Sequence, residues 1–316
     1  MRGPDDAADS ASPAGEDLLP PELLDQVGDL EWVARRVARL LAAGAHETRS
    51  AGRGEEFERH QPYQQGDDLR YLDWKLLART DRLYLRRFRE RSHLRTLFVL
   101  DASASMAFEG GAPVTKLRYG VLLAAILGHL ARDAGDAVGL VVAGAEAEAE
   151  LPPGRGSERW RAVLHALQGV RGAGGGDLGP WLERAGLLAT PGSRIVILSD
   201  FLEGDDGIEL MRSVGHLRAR GDEVGAIRIL SPEELGRSGG DEALYTDPED
   251  PERLLPAAPG RDPGYLARLD AYYAELSRGL VDRGARWAEV SSADPLLPFL
   301  RGWFRAPDRS LRGARA

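Results

Sequence analysis

Two aliphatic runs in this chain each end on an aspartate. Thr96-Leu97-Phe98-Val99-Leu100 leads into Asp101-Ala102-Ser103-Ala104-Ser105-Met106, and Arg194-Ile195-Val196-Ile197-Leu198 leads into Ser199-Asp200-Phe201. An apolar run of this length with a polar end reads as a strand buried on both faces of a sheet. In an open parallel sheet ligands lie outside the carboxyl ends of the strands, so two such strands would bring Asp101 and Asp200 together. Neither carboxylate fits a core position there, and the pair predicts a site.

The rest of the chain supplies the helices that such a sheet requires. Residues 1–19 are acidic, polar and without apolar periodicity, and predict a disordered tail. Residues 20–93 predict an N-terminal helix and an arm. The helix rests on Leu23, Leu24, Val27, Leu30, Val33, Val37, Leu40 and Leu41 and ends near Gly44; the arm over 46–93 is irregular, with aromatic anchors among many charges.

Residues 94–304 alternate strands and helices. Helices are expected after Thr115, around Trp160 to Leu167, over 178–188, around 208–219, over 265–281 and over 295–304; strands are expected over 136–142, 146–151, 223–230 and 286–290. This alternation predicts an α/β, Rossmann-like, doubly wound and mostly parallel sheet. A proline- and acid-rich excursion covers 232–263, with a hairpin through Leu244-Tyr245 and Leu254-Leu255, and a short basic tail covers 305–316.

Composition narrows the function. The chain has no cysteine, which excludes thiolate metal sites and cysteine nucleophiles. Its net charge of −9 disfavours a nucleic-acid surface. The acidic N-terminus is the reverse of a secretion signal, and the run from Tyr119 to Ala131 is shorter than the ~20 residues that span a bilayer. A cytoplasmic protein without a membrane span is expected. Of 41 basic residues only Lys75 and Lys116 are lysines, which reads first as genome composition. Lys116 follows Thr115 and lacks the second glycine of a phosphate-binding loop, no Gly-x-Ser-x-Gly elbow exists, and Gly172 to Gly176 reads as a flexible loop.

Asp101, Ser103, Ser105 and Asp200 are all hard oxygen donors, a set that suits Mg²⁺, Mn²⁺ or Ca²⁺ rather than zinc. Because hydroxyls donate weakly, such an ion would seek a further anionic ligand from outside. Asp101, Ser103 and Ser105 resemble the metal-ion-dependent adhesion site of von Willebrand factor A domains, where a partner's acidic group takes the open metal position. Upstream, Gly54-Glu55-Glu56-Phe57, Tyr63, Gly66-Asp67-Asp68-x-Arg70, Leu72-Asp73-Trp74, Ala78-Arg79 and Leu83 resemble the bacterial family called domain of unknown function 58. That resemblance implies a von Willebrand A-like fold and an association with MoxR-type AAA+ ATPases acting on client proteins. It also implies a ligand threonine from a middle loop, where this chain has Gly176, with Asp177 beside it as a substitute ligand.

The expected function is therefore a non-enzymatic interaction module, with Gly66, Asp67, Asp68, Arg70, Asp73, Trp74 and Arg79 as a candidate partner surface. The alternatives are a scaffold with a vestigial metal site and a Mg²⁺-dependent phosphatase-like hydrolase with Asp101 as nucleophile. The last lacks its second acid, because position 103 is serine.

Overall fold

The computed structural model describes residues 20–21, 26, 28–45, 56–62, 73–80, 82–89, 94–108, 112–144, 149–175, 177–202, 204, 206–232, 234–235, 245–246, 254–255 and 263–305. The expected acidic tail and all but Arg305 of the basic tail lie outside these. In chain order the elements are α1 (Leu30–Ala45), β1 (Glu56–Pro62), α2 (Trp74–Thr80), β2 (Tyr84–Arg89), β3 (Arg95–Asp101) and α3 (Ala104–Ala107). There follow α4 (Lys116–Asp133), β4 (Ala137–Ala143), β5 (Ala149–Gly154), α5 (Ser157–Gly169), α6 (Leu178–Leu188), β6 (Arg194–Ser199) and α7 (Ile208–Ala219). The last are β7 (Glu223–Leu230), β8 (Tyr245–Thr246), β9 (Leu254–Leu255), α8 (Pro263–Asp282), β10 (Arg286–Ser291) and α9 (Leu296–Arg305). The chain divides into two compact units, one of residues 1–41 with 94–316 and one of residues 42–93.

The larger unit is built on a six-stranded sheet of order β10-β7-β6-β3-β4-β5. All neighbours are parallel except β5, which pairs antiparallel with β4 at one edge. Strand residues alternate between two cores, as the two-residue period of a strand requires. Phe98, Leu100, Leu140, Val142, Val196, Leu198, Ile227 and Ile229 pack with apolar residues of α1, α4, α5 and α9. Leu97, Val99, Val141, Ile195, Ile197, Val224, Ala226 and Trp287 pack with α6, α7 and α8 on the other face. Both faces are covered, which explains why these strands are near-continuous aliphatic runs.

This is the expected α/β, doubly wound and mostly parallel class. The expected hairpin in the excursion is present as β8 paired with β9, Tyr245 opposite Leu255. Among the described residues no helix is long and apolar enough to cross a membrane.

The smaller unit departs from the expected irregular arm. Strands β1 and β2 pair antiparallel from Glu56 opposite Arg89 to Pro62 opposite Tyr84, with an irregularity between Phe57 and Arg59. Helix α2 is capped by Asp73, whose Oδ1 accepts the Leu76 N–H at 3.0 Å, while the Asp73 N–H donates to the Tyr84 carbonyl at 2.8 Å. The dense charges hide the strand pattern in the sequence, because few apolar residues mark the period.

Candidate functional site

Strands β3 and β6 run in register, with Leu100 opposite Leu198, so their carboxyl ends lie side by side. The sheet therefore delivers the two aspartates to one edge, as expected. Asp101 is 7% exposed and Asp200 is 1% exposed, and each is surrounded by donors.

Asp101 Oδ1 accepts the Ser103 N–H at 2.9 Å and Oδ2 accepts the Ser199 hydroxyl at 2.5 Å. The Ser199 Oγ in turn accepts the Phe201 N–H at 2.7 Å, so one hydroxyl ties the end of β3 to the turn beyond β6. The Ser103 and Ser105 hydroxyls bond to each other at 3.0 Å. The Asp101-to-Ser105 turn is also fixed by main chain: Ala102 N–H donates to the Ala143 carbonyl at 2.7 Å and Ala104 N–H to the Gly174 carbonyl at 2.8 Å. Ala173 N–H returns a bond to the Ala102 carbonyl at 3.0 Å.

That last contact corrects the reading of the glycine run as a flexible loop. Up to Gly175 the segment is described, and it lies hard against the turn: a Cβ on Gly172 would stand 2.2 Å from that of Ala107. Gly172 serves close backbone approach, and Gly174 takes a left-handed φ of 68. Gly176, the position of the expected threonine, lies outside the described residues. Asp177 has its Oδ1 on the Gly204 N–H at 2.9 Å, where it pins the turn after Asp200.

The group that the sequence reading missed is Lys116. Its Nζ donates to Asp200 Oδ2 at 2.7 Å and to Glu234 Oε1 at 2.8 Å, with the lysine 4% exposed. Thr115 caps the helix that Lys116 opens, its Oγ1 accepting the Arg118 N–H at 3.1 Å. Glu234 is held by a reciprocal pair: its Oε2 accepts the Ser231 N–H at 2.7 Å, and its own N–H donates to the Ser231 Oγ at 3.4 Å. The other Asp200 oxygen, Oδ1, accepts the Leu202 N–H at 3.2 Å.

The two carboxyls respond to these surroundings in opposite ways. Burial, and then the charge of Asp200, push Asp101 from its ordinary 3.8 to about 6, against the opposing bonds from Ser199 and Ser103. Burial would raise Asp200 as well, but the Lys116 ammonium with the bonds from Lys116, Leu202 and Ser105 holds it below the ordinary range. Burial would lower Lys116, and the charges of Asp200 and Glu234 outweigh it and raise it.

Phe201 follows directly, in the left-handed region at φ 56, which a bulky side chain adopts at a cost of about 1–3 kcal/mol. Its surroundings over-determine it: besides the bond to Ser199, its carbonyl accepts the Tyr272 hydroxyl at 3.0 Å and its ring packs on Trp287 at 5.0 Å between centroids. The kink sends Leu202 outward, 51% exposed. Phe108 and Leu235, on the connections leaving β3 and β7, are 40% and 41% exposed. Three adjacent strands thus each lead to an exposed large apolar side chain.

As a divalent-ion site this arrangement does not fit. Asp200 is committed to an ammonium, both Asp101 oxygens already have donors, and the Ser103 and Ser105 hydroxyls are bonded to each other, with Ser105 also bonding Asp200. Among the described residues no group of three or more His, Asp or Glu converges as a metal site. Of the expected partner surface, Asp73 is the cap of α2, Trp74 is 65% exposed and Arg79 is exposed. Gly66, Asp67, Asp68 and Arg70 lie outside the described residues.

Comparison with known proteins gives a family match. The model of the family "Protein of unknown function DUF58" matches residues 59–255, more than half of the chain. An uncharacterized protein of Mycobacterium bovis and one of Mycobacterium tuberculosis are each 28% identical over 273 residues, 85% of this chain and 84% of the relative. BatB of Bacteroides thetaiotaomicron aligns with TM-score 0.43 and 16% identity, over 67% of this chain and 97% of its own. The SpRpn10 VWA domain aligns with TM-score 0.41 and 14% identity, over 71% of this chain and 99% of its own.

Proposed function

We propose that this chain, which belongs to the DUF58 family, is a protein-interaction module that engages a partner at the carboxyl edge of its six-stranded sheet and makes or breaks no bond. The observation that carries the reading is the set of exposed apolar side chains, Phe108, Leu202 and Leu235, leaving adjacent strands around a buried and satisfied polar centre. Large apolar groups held on short connections by a rigid sheet are what a protein partner buries at the centre of an interface.

The hydrolase alternative is poorly supported. Asp101, its nucleophile, has both oxygens bonded and is buried. The resemblance to the family points to a MoxR-type AAA+ ATPase as the partner, with a client protein as the object of the pair.

The test is capture of a purified MoxR-type AAA+ ATPase by immobilised wild type and by the triple variant Phe108→Ser, Leu202→Ser, Leu235→Ser. Capture by the wild type that drops at least about tenfold in a variant of unchanged melting temperature supports the reading. Equal capture by both would place the interface elsewhere on the chain.

A further inference from the structure

We infer that the Lys116 ammonium is the resident cation of this site and takes the part that the strand-end donor set would otherwise give to a divalent metal ion. The first argument is position. Lys116 opens an eighteen-residue helix, the end at which the helix dipole opposes a positive charge, and it is 4% exposed. An ammonium there is doubly unfavourable unless carboxylates meet it. Two do, at 2.7 Å and 2.8 Å, the lengths of charge-assisted hydrogen bonds.

The second argument is completeness. Each carboxylate on Lys116 is tied down behind: Asp200 by the Leu202 N–H, and Glu234 by the Ser231 N–H. Across the gap Asp101 has a protein donor on each oxygen, and Ser103 and Ser105 bond to each other. An incoming Mg²⁺ would have to shed water and displace a tethered ammonium from Asp200.

The third argument is chemistry. A compact point charge with three rotatable donors reaches two carboxylates from different loops at once. In a chain with 41 basic residues of which only Lys75 and Lys116 are lysine, the ammonium stands at this point. The consequence is a site whose geometry holds without metal and which offers no open metal position to a partner's acidic group.

This inference deepens the interaction reading at the same site. Its test uses the full chain alone, so loss of partner capture and failure here are separate results. Protein carrying ¹³C at lysine Cε gives two signals, from Lys75 and Lys116, and Mg²⁺ and Mn²⁺ are titrated in parallel by calorimetry. Wild type is expected to show no saturable site tighter than about 1 mM and no Mg²⁺-dependent movement of the Lys116 signal.

Lys116→Met, which keeps the stem and removes the charge, is expected to bind Mn²⁺ at least about tenfold more tightly than wild type, and to lose the gain when Asp200→Asn is added. A stoichiometric Mg²⁺ or Mn²⁺ site in wild type that Asp101→Ala abolishes would overturn the inference. So would a folded Lys116→Met protein that binds Mn²⁺ no better than wild type. If that variant does not fold, the lysine signals and heats of the wild type decide alone.

Discussion

Asp101 and Asp200 are the same residue at the ends of adjacent parallel strands, both buried, and their carboxyls are shifted in opposite directions. Asp101 faces a like charge and is pushed up to about 6, while the Lys116 ammonium holds Asp200 below the ordinary carboxylate range. Burial raises both, so burial does not separate them. The difference comes from one lysine, placed by a helix that starts fifteen residues after the first aspartate. A sequence motif of strand-end carboxylates thus names the atoms at a site but leaves their charges open until the counter-ion is found.

The most severe way to break the contrast is Lys116→Met. It leaves Asp200 and Glu234 buried together without their cation, and removal of one partner from a buried pair costs about 3–5 kcal/mol. Urea denaturation at pH 7 should show that loss, and the variant should regain part of it in acid, where the carboxylates take up protons. A loss below about 1 kcal/mol would mean that the ammonium is not stabilising Asp200.

Asp101→Asn moves the other way. The Asp101 carboxyl has a folded value of about 6 against an ordinary 3.8, so between those limits the folded chain holds a proton that the unfolded chain has released. Its contribution to stability therefore falls as pH rises through that window and stays unfavourable above it. The amide keeps an acceptor for the Ser103 N–H, and the Ser199 hydroxyl has a second lone pair to accept from the new NH₂. Asp101→Asn should be more stable than wild type by about 1–3 kcal/mol at pH 7.5, with the gap closing below about pH 4. Chemical denaturation at three pH values checks it, and a gap that does not depend on pH would contradict the assigned charge state.

The sheet and the near half of the site were legible because they depend on local pattern. The aliphatic runs of β3 and β6 mark buried parallel strands, and the abrupt Asp101 and Asp200 mark their ends. Lys116 and Glu234 were not legible, since they meet Asp200 from 84 residues before it and Lys116 from 118 residues after, through neighbouring strands. Two signals were present in hindsight: the rarity of lysine in an arginine-rich chain, and Ser231-Pro232-Glu233-Glu234, whose Ser-x-x-Glu spacing allows the reciprocal bonds that fix Glu234. The glycine run misled because glycine serves both freedom and close approach, and only the neighbouring Ala107 shows which applies at Gly172.

The smallest change sharpens the comparison without touching a charge. Thr115→Ala removes the hydroxyl that accepts the Arg118 N–H and so loosens the first turn of the helix that presents Lys116. Loss of a threonine cap costs about 1 kcal/mol. Because threonine does not titrate, that cost should be constant from pH 4 to pH 8, in contrast to the pH-dependent gap of Asp101→Asn. Thermal denaturation across that range separates two roles for the start of α4. A constant cost means that the cap supports the helix and that the two carboxylates hold Lys116 themselves. A cost that grows as Asp101 ionises means that the cap also sets the position of the ammonium, so the opposite shifts of the two aspartates rest on Thr115 as well as on Lys116.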